Sequence, residues 1–305
     1  MTAIPVIPAT SSSPSRWWRL APAFTLLVLA PVVAEVLSGA TRLSFIIVLI
    51  PEIMVWGCGA LLAREAVRRW RAGWTSLLLL GLALSIAEEF IIQQTSLAPL
   101  PWLPSAQSFG RAWGVNWLYF LYMLGYESVW VVLVPVQLTD LLFPDRRSEP
   151  WLRTGGLLTS SVFFVFGSFI AWFTWTQQAR PNVFHVPNYT PPLSTVLLGL
   201  LAILLLIFAA YAFRRVSPHS PVSSGPAPQP SLVVVLVLVF GYPWYLLIAL
   251  VFAPTIARGI PFWLPLLVGS PGPSPPISFS IAFLLPSVGE TSIVGRSSLA
   301  PFSSP

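Results

Sequence analysis

The chain has 305 residues, 55% hydrophobic and 9% charged, with a mean hydropathy of +0.78 and a net charge of +6. Soluble domains carry about 25% charged residues, so the composition excludes a water-exposed globular surface. Every basic residue is Arg, and Cys58 is the single cysteine. A retinal or pyridoxal Schiff base, a P-loop lysine, an intrachain disulfide, a thiolate zinc cluster and an iron–sulfur site are therefore all excluded.

Residues 1–15 are rich in Pro, Ser and Thr without apolar periodicity and read as a disordered tail. Arg16 and Arg19 bracket Trp17 and Trp18, and an apolar span follows over 20–37. A basic start before an uncharged run also fits a signal peptide, although the run reaches Glu35 without a small-residue cleavage site. Further spans are expected over 45–62, 73–92, 116–138, 155–172, 196–213 and 232–252, each near or above the ~18 apolar residues of a membrane helix. Residues 214–231 read as a flexible inner linker. After Ile260, two short apolar runs flank SPGPSPP, which no regular helix tolerates. That segment is a broken eighth span, a re-entrant hairpin or a poorly ordered end, with the first favoured. Residues 16–286 thus form one transmembrane domain and 287–305 a flexible tail. The expected fold is all-α, a polytopic integral membrane helical bundle of seven or eight transmembrane helices. No internal repeat is visible, so an inverted-repeat transporter is not supported.

Arginine placement sets the expected orientation. With the N-terminus inside, inner segments hold eleven arginines (Arg64, Arg68, Arg69 and Arg71 among them) and outer loops four: Arg42, Arg111, Arg180 and Arg258. This is a positive-inside bias. Tryptophans mark the same boundaries, with Trp17, Trp18, Trp70, Trp74 and Trp151 at inner ends and Trp113, Trp117, Trp172 and Trp175 at outer ends. Because the arginines flank apolar spans, they report topology, and no nucleic-acid partner is expected. The two histidines, His185 and His219, fall in loops, which argues against a buried bis-His haem, and no cofactor or metal is expected. The implied location is a prokaryotic plasma membrane with a cytoplasmic N-terminus.

Five of the ten acidic residues fall inside these spans: Glu35, Glu52, Glu88, Glu89 and Glu127. A charge at the bilayer centre costs about 2.5–3.5 kcal/mol, against about 0.3–0.6 gained per Leu. Each glutamate therefore needs a compensating environment. Counting along alternating spans at ~1.5 Å per residue puts all five in the outer half of the membrane or at its middle, spread over four consecutive helices. A shared, outward-opening acidic cavity is the simplest arrangement. Pro31 and Pro51 precede Glu35 and Glu52 and would free the carbonyls of Leu27 and Ile47. Gly81 and Ser85 form a small-xxx-small face beside Glu88, suited to close helix approach. Glu88 and Glu89, as helix neighbours, point about 100° apart, so adjacency alone makes no dyad. The plain alternative is structural: each glutamate hydrogen-bonded between helices, or paired with Arg42 or Arg111 in an ion-pair network.

Between Pro31 and Glu89, the segments APVVAEVLSG, GCGALLAREAVRR with RAGW, and LLLLGLALSIAEE carry a resemblance. They resemble a family of uncharacterised prokaryotic polytopic membrane proteins, with a Pro-x-x-Ala-Glu first span, a Gly-rich second span ending Arg-Glu and Glu-Glu in the third. The resemblance implies the helical layout and the importance of Glu35, Arg64, Glu65, Glu88 and Glu89, and no chemistry. A weaker likeness is to the CAAX-type intramembrane proteases through Glu88-Glu89. Their Arg four residues after the second Glu is Gln93 here, and neither downstream histidine motif has a counterpart. The leading reading is proton or cation binding, with possible transport, by Glu35, Glu52, Glu88, Glu89 and Glu127. The alternatives are an intramembrane hydrolase and a non-catalytic accessory subunit. Membrane lipids are expected partners, with Arg64, Arg68, Arg69 and Arg71 as candidate contacts to anionic headgroups.

Overall fold

A computed structural model describes residues 16–41, 43–101, 110–215 and 229–252, together with 260, 261 and 264. Six helices are long and apolar enough to cross a membrane: α1 Trp18–Val36, α2 Ile46–Trp70, α3 Trp74–Ile92, α4 Trp117–Leu142, α5 Thr154–Val183 and α6 Leu193–Phe213. A further helical run, α7 (residues 230–252), joins Pro230–Leu236, Val237–Gly241 and Tyr242–Phe252. Between α3 and α4 lies a two-stranded antiparallel ribbon, β1 Arg111–Ala112 and β2 Val115–Asn116. The Asn116 side chain accepts from the Tyr119 amide and caps α4. The chain is an all-α polytopic membrane bundle. The eighth span expected after Ile260, the N-terminal tail, the C-terminal tail and Arg42 lie outside the described residues.

Helices α1–α4 form the inner group, with α5 packed on α2 and α3, α6 on α3, and α7 on α4. Of the apolar window of each helix, 39–61% is buried in α1–α4, but only 17% in α5 and 11% in α6. The Leu and Phe side chains of α5 and α6 therefore form the apolar outer wall that a bilayer requires. The main core joins Leu26 and Ala30 of α1, Val55, Ala60 and Leu61 of α2, Leu77 of α3, and Val131 and Val132 of α4. Missing side chains permit the closest approaches. A Cβ on Gly57 would collide with the Leu27 carbonyl of α1, and one on Gly81 would lie 3.1 Å from Ser128 Cα of α4. The Leu27 carbonyl that Pro31 releases is thus placed against the Gly57 backbone of α2, while the Gly81 face serves the close packing expected of it.

Two features depart from regular helix. First, α1–α4 each contain a π-helical stretch: Val32–Val36, Ile53–Gly57, Glu88–Ile92 and Glu127–Leu133. Each is one residue wider than an α-turn, with i→i−5 bonds such as Leu37 N–H to Val32 O and Gln93 N–H to Glu88 O, both 2.9 Å. Second, α2 does not end near residue 62 but continues to Trp70, where Arg71 closes it in the left-handed conformation (φ 54°). Neutralisation of its charged last turns explains the extension, as shown next.

Candidate functional site

The five candidate glutamates all sit at the π-helical stretches. Glu35 lies within the first, Glu52 immediately precedes the second, Glu88 and Glu89 open the third, and Glu127 opens the fourth. Such single-turn widenings persist where the surroundings hold them, and they recur at functional sites. Two similar stretches, Phe173–Val183 and Val237–Gly241, carry no carboxylate, so the feature alone does not mark the site.

The side chains interact as a group. Glu52 lies near Glu35 and Glu88, Glu88 near Glu89 and Glu35, and Glu127 near Glu89, Glu88 and Glu35. Glu88, Glu89 and Glu127 are only 2%, 1% and 2% exposed, whereas Glu35 and Glu52 are half-buried. The cluster therefore has two outer members and three enclosed ones. Among the described residues, no three His, Cys, Asp or Glu side chains come together as a metal-ion ligand set.

Hydrogen bonding divides the five sharply. Glu89 is fully satisfied: Thr95 Oγ1 donates to both its oxygens at 2.8 and 2.7 Å, and Ser96 Oγ donates to Oε2 at 2.6 Å. The Ser96 backbone amide adds a third donor, and Tyr119 bonds Thr95 behind it. The turn after α3 makes this possible, because Gln94 adopts φ 60° and folds Thr95 and Ser96 back over Glu89. Glu88 receives one bond, from Trp56 Nε1 to Oε1 at 2.8 Å, and its Oε2 is buried without a partner. Glu52 Oε2 and Glu127 Oε2 are likewise buried and unpartnered. Glu127 touches Ser85, whose hydroxyl also lies 3.2 Å from the Met123 carbonyl. Glu35 accepts from Thr41 Oγ1 at 2.5 Å. Nearby, Tyr126 of α4 donates to the Ala34 carbonyl and lies 3.1 Å from Ser38 Oγ. Sequence reading missed Thr95, Ser96, Trp56 and Tyr119, since nothing in local spacing announces that a turn will fold back. Arg111 does not join the cluster, but donates to the carbonyls of Leu97 and Gly114.

The four candidate headgroup arginines separate too. Arg64 is fully buried, with its Cζ over the Trp151 ring, 3.1 Å from the ring centroid. Its Nε and Nη2 donate to Asp140 Oδ1 at 3.1 and 3.0 Å, and it also reaches the carbonyls of Arg146, Arg147 and Glu149. Arg68 pairs with Asp140 Oδ2 at 2.5 Å. Both guanidinium groups thus turn inward to α4 instead of towards headgroups. Asp140 is a buried member of the last turns of α4. Glu65, also buried, accepts the backbone amides of Trp151 and Leu152 at 2.6 and 3.2 Å. It contacts Arg64 and Arg69 at 3.5 Å. Arg69 is half-exposed at its side chain and Arg71 is exposed. A cavity of about 510 Å³ lies at this arginine-rich end beside Arg19 and Arg146.

The model of an uncharacterised membrane protein family matches residues 24–286, which include all five glutamates and the buried arginine cluster. No curated protein and no solved structure matches the chain.

Proposed function

Since the chain belongs to this uncharacterised membrane protein family, we propose its function from geometry: it binds protons within the membrane, on glutamates of α1–α4, and couples them to transport. The observation that carries this is the contrast between Glu89 and its neighbours. A carboxyl group surrounded by three donors that together reach both its oxygens is an acceptor on each, so Glu89 is the ionised member. No cation among the described residues pairs with it. By contrast, Glu52, Glu88 and Glu127 each keep a buried oxygen without a donor, and an unmet polar atom of that kind costs about 1–3 kcal/mol. A proton on such a carboxyl turns the orphan oxygen into an O–H donor and removes a buried charge. Ser85 has one proton, and when that proton serves the Met123 carbonyl, the Ser85–Glu127 contact is completed by a proton on Glu127.

The half-buried Glu35 and Glu52 form the access side, and the enclosed Glu88 and Glu127 hold the proton beside the fixed charge of Glu89. A proton suits this cluster better than a metal cation, which needs several oxygens converging on one point. We place the protein in a prokaryotic plasma membrane with its arginine-rich end in the cytoplasm, as eleven inner arginines support. The access side then faces outward. The test is proton flux and stability in reconstituted protein. Wild type should unfold with a pH-dependent midpoint in detergent and move protons in proteoliposomes, and the Glu52→Gln/Glu88→Gln double variant should lose both responses while still folding. A double variant with the wild-type pH response and flux defeats the proposal.

A further inference from the structure

The cavity at the arginine-rich end contains none of the five intramembrane glutamates and has its own chemistry. It lies between the start of α1 and the chain leaving α4, and its lining includes Trp18, Arg19, Leu142, Asp145, Arg146 and Glu149. Trp18 is 68% and Leu142 64% exposed, so one wall is apolar and uncovered. Arg146 is held from several sides. Its Nε donates to Glu149 Oε1 at 2.5 Å, and its Nη1 donates to the carbonyls of Arg19 and Trp18 at 2.6 and 3.2 Å. Its own carbonyl accepts from Trp151 Nε1 at 2.9 Å and from the buried Arg64 at 3.3 Å. The connection that walls the cavity is therefore fixed to the interior before any ligand arrives, and pre-organisation of this kind lowers the cost of binding.

The charges around the cavity balance: two guanidinium groups, Arg19 and Arg146, face two carboxylates, Asp145 and Glu149. A ligand complementary to both signs and to the apolar wall carries a phosphate, a cationic amine and acyl chains. We propose that this cavity is a binding site for a zwitterionic phospholipid with a primary ammonium headgroup. The phosphate meets Arg19 and Arg146, the ammonium donates to Asp145, and the chains run along Trp18 and Leu142. An anionic headgroup would leave its charge against Asp145 and Glu149, and a trimethylammonium headgroup has no N–H to donate to a carboxylate.

The test uses delipidated full-length protein titrated with phosphatidylethanolamine, phosphatidylglycerol, phosphatidylcholine and soluble phosphoethanolamine, with bound ligand counted by native mass spectrometry. Phosphatidylethanolamine should bind about tenfold more tightly than the other lipids, the scale of one charge-assisted contact. Asp145→Asn should erase that preference and Arg19→Gln should weaken all three lipids alike, neither change, both at exposed side chains, altering thermal unfolding. Equal or better binding of phosphatidylglycerol, equal binding of phosphatidylcholine, an Asp145→Asn variant that retains the preference, or an Arg19→Gln variant that binds all lipids as wild type does overturns the proposal. Phosphoethanolamine binding as tightly as the lipid overturns it in favour of a soluble ligand.

Discussion

Replacing Asp140 by Ala removes the carboxylate shared by two buried guanidinium groups. Arg64 loses two bonds of 3.1 and 3.0 Å and Arg68 loses one of 2.5 Å. Truncating one partner of a buried ion pair costs about 3–5 kcal/mol, because the surviving charge stays uncompensated. Arg64 keeps the carbonyls of Arg146, Arg147 and Glu149 and its contact with Glu65, which limits the loss. A destabilisation of about 3 kcal/mol is therefore expected, at the low end of that range. Steric trapping in bicelles, which reads unfolding free energy directly, is the assay. The triple variant Arg64→Met/Arg68→Met/Asp140→Leu removes all three charges together and should recover most of the loss, since apolar replacements of buried ion groups are often neutral. If Asp140→Ala lies within about 0.5 kcal/mol of wild type, the range of an ordinary surface change, the cluster does not hold α2 to α4 as argued.

Four further outcomes follow from the geometry. Glu89→Gln should cost about 1.5–3 kcal/mol, because an amide nitrogen facing Thr95 and Ser96 replaces an acceptor with a donor; the same stability assay reads it. Glu127→Gln should stay within about 1 kcal/mol, since an amide reproduces a protonated carboxyl there. Gly57→Ala should destabilise by about 1–3 kcal/mol by driving a methyl into the Leu27 carbonyl, while Gly155→Ala, which meets nothing within 4 Å, should be close to silent. Cys58 is buried and should resist maleimide in the folded protein, which makes a His219→Cys variant a clean reporter. Labelling of that cysteine from the cytoplasmic side only would support the proposed orientation, and labelling from outside would reverse it.

The fold was legible because a membrane leaves few options. Apolar length and absent charge marked the helices that became α1–α6, and the five glutamates stood out by cost alone. The C-terminal limit of α2 was not legible, since Arg64 and Arg68 read as a helix end until Asp140, more than seventy residues later, is seen to neutralise them. Likewise, Gly81 and Ser85 announced close packing through local spacing, but the fold of Thr95 and Ser96 onto Glu89 depends on Gln94 adopting a left-handed turn that its residue type does not dictate. Local pattern tells where a polar group is buried. Which partner quenches it is a tertiary fact.

The central claim is that Glu89 is ionised while Glu88 and Glu127 carry protons, and infrared difference spectroscopy of the carboxyl C=O stretch at neutral pH tests it most directly. Bands of protonated, enclosed carboxyls should be present in wild type, should diminish in Glu88→Gln and again in Glu127→Gln, and should persist in Glu89→Gln. Bands that vanish only in Glu89→Gln, or an absence of protonated carboxyl signal in wild type, would contradict the assignment and with it the proton-binding account.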